Sequence, residues 1–194
     1  MGDAQLDVLV ICGSLRKGSY NAALARALPE LAPAGMTLRA APSFAGLPAY
    51  NFDEYEASGI HPIATAWIEA VRSADALIIV SPEYNWSIPG GLKNAIDWAS
   101  RLKDQPFSAK PVALQSAATG QLGGSRMQYH LRQALTSIDA LIFGKPEVIV
   151  TFAAKKFDEK TLALTDQPTR DMVKQQLAGF EKFVRRVSPK SAGA

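Results

Sequence analysis

A single cysteine, Cys12, occurs among the 194 residues, which excludes an internal disulfide and any cysteine-rich metal site. The two histidines, His61 and His130, are far apart and keep different company, so no histidine metal centre is expected. No apolar run approaches the roughly 20 residues needed to span a bilayer. The opening residues, MGDAQLDVLVIC, carry neither a basic leader nor a small-residue cleavage motif, and the expected location is cytoplasmic. The net charge is only +3, with Lys and Arg spread along the chain. That is too weak and too dispersed for nucleic-acid binding. A short cluster of Lys182, Arg185, Arg186 and Lys190 reads as a solvated helix end running into a flexible tail over about residues 188–194.

What is present is a globular composition, 47% hydrophobic and 20% charged, in a length that suits one domain with a sizeable core. Branched apolar runs at residues 6–12 and 76–80 read as buried strands. Shorter strand signals lie at 37–41, 111–115 and 147–151. Helical periodicity covers 21–31, 63–73, 90–101, 124–138 and 169–187. Five strands alternating with helices predict an α/β fold: a doubly wound five-stranded parallel sheet, helices on both faces, one domain over 1–194. Residues 42–62 read as a long irregular loop, longer than a plain connection needs.

The most informative stretch is SPEYNWSIPGGLKNAIDW, residues 81–98. It leaves a buried strand, crosses a loop rich in aromatics and proline, and enters a helix striped by Leu92 and Ile96. In a doubly wound sheet, the loops after strands one, three and four meet in one crevice. The first of them, GSLRKGSYN, leads into a helix N-terminus, where free backbone N–H groups and the helix dipole favour an anion. Ser14 and Ser19 add hydroxyls, Asn21 can cap or donate, and the Arg16 guanidinium suits phosphate oxygens. The loop is neither G-x-G-x-x-G nor G-x-x-x-x-G-K-[ST], so a dinucleotide or triphosphate site is not indicated. Pro82, Glu83, Tyr84 and Asn85 can run past a planar ring; the other reading of this corner has Trp86 packed inward. The glycine-rich segment 116–124 offers close backbone approach to a carbonyl edge. A phosphate cradle beside two ring-edge loops describes a mononucleotide with a flat heterocycle, and FMN fits best.

These same segments, GSLRKGSYN, SPEYNWSIPGGLKNAIDW and the SAATGQLGGSR run, resemble the NADPH-dependent FMN reductase family of flavodoxin-like flavoproteins, which includes quinone, chromate and azo reductases. The resemblance spans essentially the whole chain. It implies that Ser14, Arg16, Ser19, Tyr20 and Asn21 hold the FMN phosphate and that Pro82, Glu83, Tyr84 and Asn85 lie beside the ring. It places Ser116, Thr119 and Gly120 near the pyrimidine side. It also implies a homodimer or homotetramer with the flavin site near a subunit interface.

The flavin carries the chemistry, so no catalytic acid or base is required. The Thr119 and Gly120 amides are candidates for tuning it where negative charge develops. The expected cycle is ping-pong, from NADPH or NADH to quinones, azo compounds, free flavin or metal oxyanions such as chromate. Arg101 reads either as a contact for an anionic acceptor or an NADPH phosphate, or as a surface or subunit contact. Tyr50 either lines the acceptor cavity or packs its loop, and Arg126, Tyr129 and His130 read as interface residues. The alternative is an electron carrier without substrate turnover. Such carriers tend to be strongly acidic, and the charge of +3 argues against one.

Overall fold

Ala76–Val80 is buried at every residue, as an unbroken apolar run requires of a strand covered on both faces. The computed structural model describes residues 4–188, so the expected tail lies outside the described residues apart from Ser188. Along them run β1 (Leu6–Cys12), α1 (Tyr20–Leu31), β2 (Met36–Ala40), α2 (Phe52–Ser58), α3 (Pro62–Ser73) and β3 (Ala76–Val80). Then come α4 (Gly90–Ala99), β4 (Pro111–Ala117), α5 (Ser125–Thr136), β5 (Leu141–Ile142), β6 (Val148–Val150) and α6 (Gln167–Val187). The strands are parallel in the order β2-β1-β3-β4-β5, with β6 also on β4. This is the doubly wound α/β architecture that the strand–helix alternation predicts, and the flavodoxin-like one that the family resemblance implies.

Side chains alternate across the sheet. Leu9, Ile11, Leu77 and Ile79 join Trp67, Leu92 and Met127 of α3, α4 and α5 in one core. Val8, Val10, Ile78 and Val80 join Leu24 and Leu28 of α1 and Leu177 and Phe180 of α6 in the other. The period of two in the strands thus decides which helices cover which face.

The sheet has six strands, not the five expected. The strand expected at 147–151 is β6, and a further two-residue strand, β5, precedes it: β5 pairs with Pro111 and Val112, β6 with Gln115, Ser116 and Ala117. After the Phe143 amide, which still donates to the Val112 oxygen (2.8 Å), the chain leaves the ladder up to Val148, and long polar side chains satisfy carbonyls around the break. Gln176 Nε2 donates to the Leu114 oxygen (3.2 Å) and the Pro146 oxygen (2.8 Å). Gln128 Nε2 donates to the Val148 oxygen (2.8 Å) and Arg132 to the Phe143 oxygen (3.3 Å). A buried polar group has to be paired, and here side chains do it.

The 42–62 segment is not wholly irregular, because it contains α2. Asn51 caps that helix by accepting from the Asp53 amide (3.0 Å), with Asp53 and Glu54 in the first turn. No α2 residue is buried, so no apolar stripe announced it. The segment is strapped to α4 by two residues of the 81–98 stretch. Asn94 accepts from the Tyr50 amide (2.8 Å) and donates to the Pro48 oxygen (2.8 Å), which Trp98 Nε1 also reaches (2.9 Å). Among the described residues no helix is long and apolar enough to cross a membrane.

Candidate functional site

Because β1, β3 and β4 are adjacent and parallel, the loops that leave them share one edge of the sheet. The first begins at Gly13, whose amide donates to the Val80 oxygen (2.9 Å). A Cβ there would collide with the Ser81 side chain and come within 3.0 Å of Leu92, so only glycine lets this loop pass the next. Ser19 caps α1, its hydroxyl accepting from the Asn21 and Ala22 amides (3.2 and 3.3 Å). Ser14 Oγ accepts from the Arg16 amide (3.4 Å). Arg16 and Lys17 are exposed, and the amides of Lys17, Gly18, Ser19 and Tyr20 donate to no other described group. Two exposed cations in the loop and a run of free N–H groups at a helix N-terminus are the elements of an anion cradle.

Asn21 faces inward. Buried at 3% exposure, it donates to the Ala117 oxygen (2.8 Å) and accepts from the Ala117 amide (2.9 Å). Its side chain therefore fixes the cradle to the end of β4. The Tyr20 ring packs on Phe157, 5.3 Å between centroids.

In the second loop, Tyr84 and Ser87 exchange backbone hydrogen bonds, each 3.0 Å, around Asn85 (φ 48°) and Trp86 (φ 69°). Two left-handed residues in this position form a type I′ turn, which usually selects Asn and Gly; Trp86 in the second place is strained. Trp86 is not packed inward: it is 66% exposed, and the Arg126 guanidinium lies over its ring at 4.1 Å. The Glu83 carboxylate accepts from Arg126 (2.7 Å) and from the Met127 amide (3.2 Å) at the start of α5, where the helix dipole favours an anion. His130 Nδ1 sits 3.0 Å from the Ser87 hydroxyl. Glu83, Arg126 and His130 thus knit the second loop to α5.

The third loop leaves β4 at Ser116, fully buried and bonded to Gln128 Nε2 (2.8 Å). Ala118 and Phe152 fasten it to the chain after β6: the Ala118 amide donates to the Val150 oxygen (3.0 Å), the Phe152 amide to the Gly120 oxygen (3.3 Å). Between those ties Thr119, Gly120, Gln121 and Leu122 are exposed, and their amides donate to no other described group. Gly124 (φ 89°) lets α5 start against Ser116, whose Cβ would lie 2.9 Å from an added Cβ.

The same edge carries a rim of exposed apolar residues: Leu15, Tyr84, Trp86, Leu122 and Phe152, each 47–66% exposed. Sequence reasoning missed Leu15, Leu122 and Phe152; for Leu15 and Leu122 the available signal was a large apolar side chain at a loop tip beside a cation or a glycine. Arg101 and Tyr50 are brought together, the guanidinium 5.2 Å from the ring centroid. They lie past the C-terminal end of α4, ten residues and so about 15 Å from its crevice end. Burial pushes the Cys12 thiol up from its ordinary value, partly offset by a hydrogen bond with the Ser14 backbone and by the Arg26 charge.

An anion cradle, a strained aromatic turn and a strip of free amides on one edge match the family whose sequence profile covers residues 6–155, the NADPH-dependent FMN reductases. The chain belongs to this family. A quinone reductase of Escherichia coli (strain K12) is 48% identical over 183 residues, covering 94% of this chain and 97% of the relative. A NAD(P)H-dependent FMN reductase of Pseudomonas aeruginosa is 46% identical over 182 residues, with the same two coverages, 94% and 97%. Among solved structures, FerB, a flavoenzyme NAD(P)H:(acceptor) oxidoreductase from Paracoccus denitrificans, superposes with a TM-score of 0.83 at 28% identity. It is matched over 94% of this chain and 99% of that one. The protein is therefore an oxidoreductase of a family that uses FMN with NAD(P)H. Its donor set fits that cofactor: amides and cations for a phosphate, and amides for a carbonyl edge.

Proposed function

We propose that the crevice holds FMN with its phosphate on Ser14, Arg16, Ser19 and the amides to Tyr20, and its ring between residues 82–85 and the Thr119–Gly120 strip. The observation that carries this reading is the set of free amides on two neighbouring loops at one sheet edge. Bound FMN supplies hydride acceptance and onward electron transfer. The chain's own residues do the rest. Arg16 and the α1 amides anchor the charged end, so the ring has one register. The Thr119 and Gly120 amides face the carbonyl edge and stabilise negative charge there. Asn21, Glu83 and Ser116 act through protein contacts, setting the spacing of the three loops.

The apolar rim shields one side of the ring and leaves a face on which donor and acceptor take turns, a ping-pong order. NADPH or NADH is the donor. A quinone is the acceptor favoured by the flat, apolar rim; azo compounds, free flavin and chromate are further candidates. The protein works in the cytoplasm as a homo-oligomer. Titration with FMN and steady-state oxidation of NADPH with a quinone test this directly. Protein that takes up FMN and turns over many times supports it; protein that rejects FMN, or bleaches once and stops, overturns it.

A further inference from the structure

Beside α1 lies a mostly apolar cavity of about 460 Å³ that the flavin reading touches only at its edge. Ala22, Ala25 and Pro29 of α1 form one wall, and Leu38, Ala40 and Phe44 another. Val10 and Cys12 of β1 lie between them. None of the residues of the second and third loops lines it; it meets the cradle only at Ser14 and Leu15. Its volume falls within the range of small-molecule sites.

Two polar features interrupt the walls. Pro29 has no N–H, so it cannot donate to the Ala25 carbonyl one turn back. Arg26, which also lines the cavity, is exposed and makes no hydrogen bond or ion pair among the described residues, while its charge reaches Cys12. The other lining guanidinium, Arg39, is already held by Asp7 (2.9 Å). One free cation over an apolar hollow is the donor pattern for a ligand with an apolar body and a single negative head.

We infer that this cavity is a second binding site, separate from the FMN crevice, for a small organic anion with an apolar body. Its anion meets Arg26 while its body lies between α1 and β2. The site requires neither bound flavin nor turnover. Because Cys12 is the chain's one cysteine and lines the cavity, every thiol label reports from inside it.

The test uses FMN-loaded protein, with 2-naphthoate and octanoate as probes. Binding is followed by calorimetry, and Cys12 occupancy by the rate of N-ethylmaleimide labelling. At least one probe is expected to bind at one site per chain and slow the labelling of Cys12. R26E is expected to weaken that probe about tenfold or more by losing a charge-assisted contact. Ala25→Trp, which fills the hollow, is expected to abolish binding while FMN affinity stays unchanged. Should Ala25→Trp fail to fold, R26E at an exposed position still decides. Absence of binding by both probes overturns the inference. So does binding that leaves Cys12 labelling at its free rate, or that R26E leaves undiminished.

Discussion

At the scale of single residues, Arg16 and Asn21 separate touching a ligand from placing the groups that touch it. Arg16 is exposed over the α1 amides, so Arg16→Ala should weaken FMN by about 1.5–3 kcal/mol with the melting midpoint of the apo protein unchanged. Unaltered FMN affinity in a fluorescence titration would remove Arg16 from the cradle. Asn21→Ala strands the buried amide and carbonyl of Ala117, and should lower stability in a urea melt by about 1–3 kcal/mol per group left unpaired. FMN affinity should fall with it, because the distance between cradle and amide strip is no longer fixed. The sequence showed that these residues cluster in the crevice loops, but not which way they face. Asn21, Glu83 and Ser116 read as ligand contacts because of the loops they stand in and the family those loops resemble; their inward partners, Ala117, Arg126 and Gln128, come from elements up to 96 residues away. No local pattern encodes such pairings.

At the scale of elements, strands and helices with strong periodicity were legible, and the short ones were not. β5 has two residues and α2 buries none of its side chains, so neither leaves an apolar period to detect. The break between β5 and β6 makes Gln176 indispensable. Gln176→Leu removes the donor to the Leu114 and Pro146 carbonyls and the acceptor for Gln115. Its urea midpoint should fall by the equivalent of about 2–4 kcal/mol. At the start of α6, the Thr169 hydroxyl and amide hold the Asp166 carboxyl below its ordinary 3.8. A carboxyl lowered by folding adds stability above its unfolded value, and that stability is lost as pH falls through the folded one. Asp166→Ala should therefore cost about 1 kcal/mol at neutral pH. It should also flatten the acid limb of the stability curve below pH 3.8; a mutant curve parallel to wild type throughout would refute the cap.

At the scale of the whole molecule, five exposed apolar side chains crowd one sheet edge, while Tyr129, 58% exposed, stands on α5 next to His130. A patch of this kind on a chain of mild charge marks an association surface, in keeping with the proposed homo-oligomer. Light scattering should show more than one chain per particle, and Trp86→Glu with Tyr129→Glu should lower that number. A single-chain mass for the unmutated protein would refute the oligomer. Quinone turnover per flavin, measured on the same samples, reports whether assembly completes the crevice.

Gly13 sets a limit on how this architecture can change. With one hydrogen atom for a side chain, it abuts Ser81 so closely that any larger residue would have to push the two turns apart. Such a change would disturb the floor of the proposed FMN crevice. On the proposed reading, variation in the acceptor falls to the exposed overhanging residues, Leu15, Trp86, Leu122 and Phe152, whose exchange leaves that floor in place.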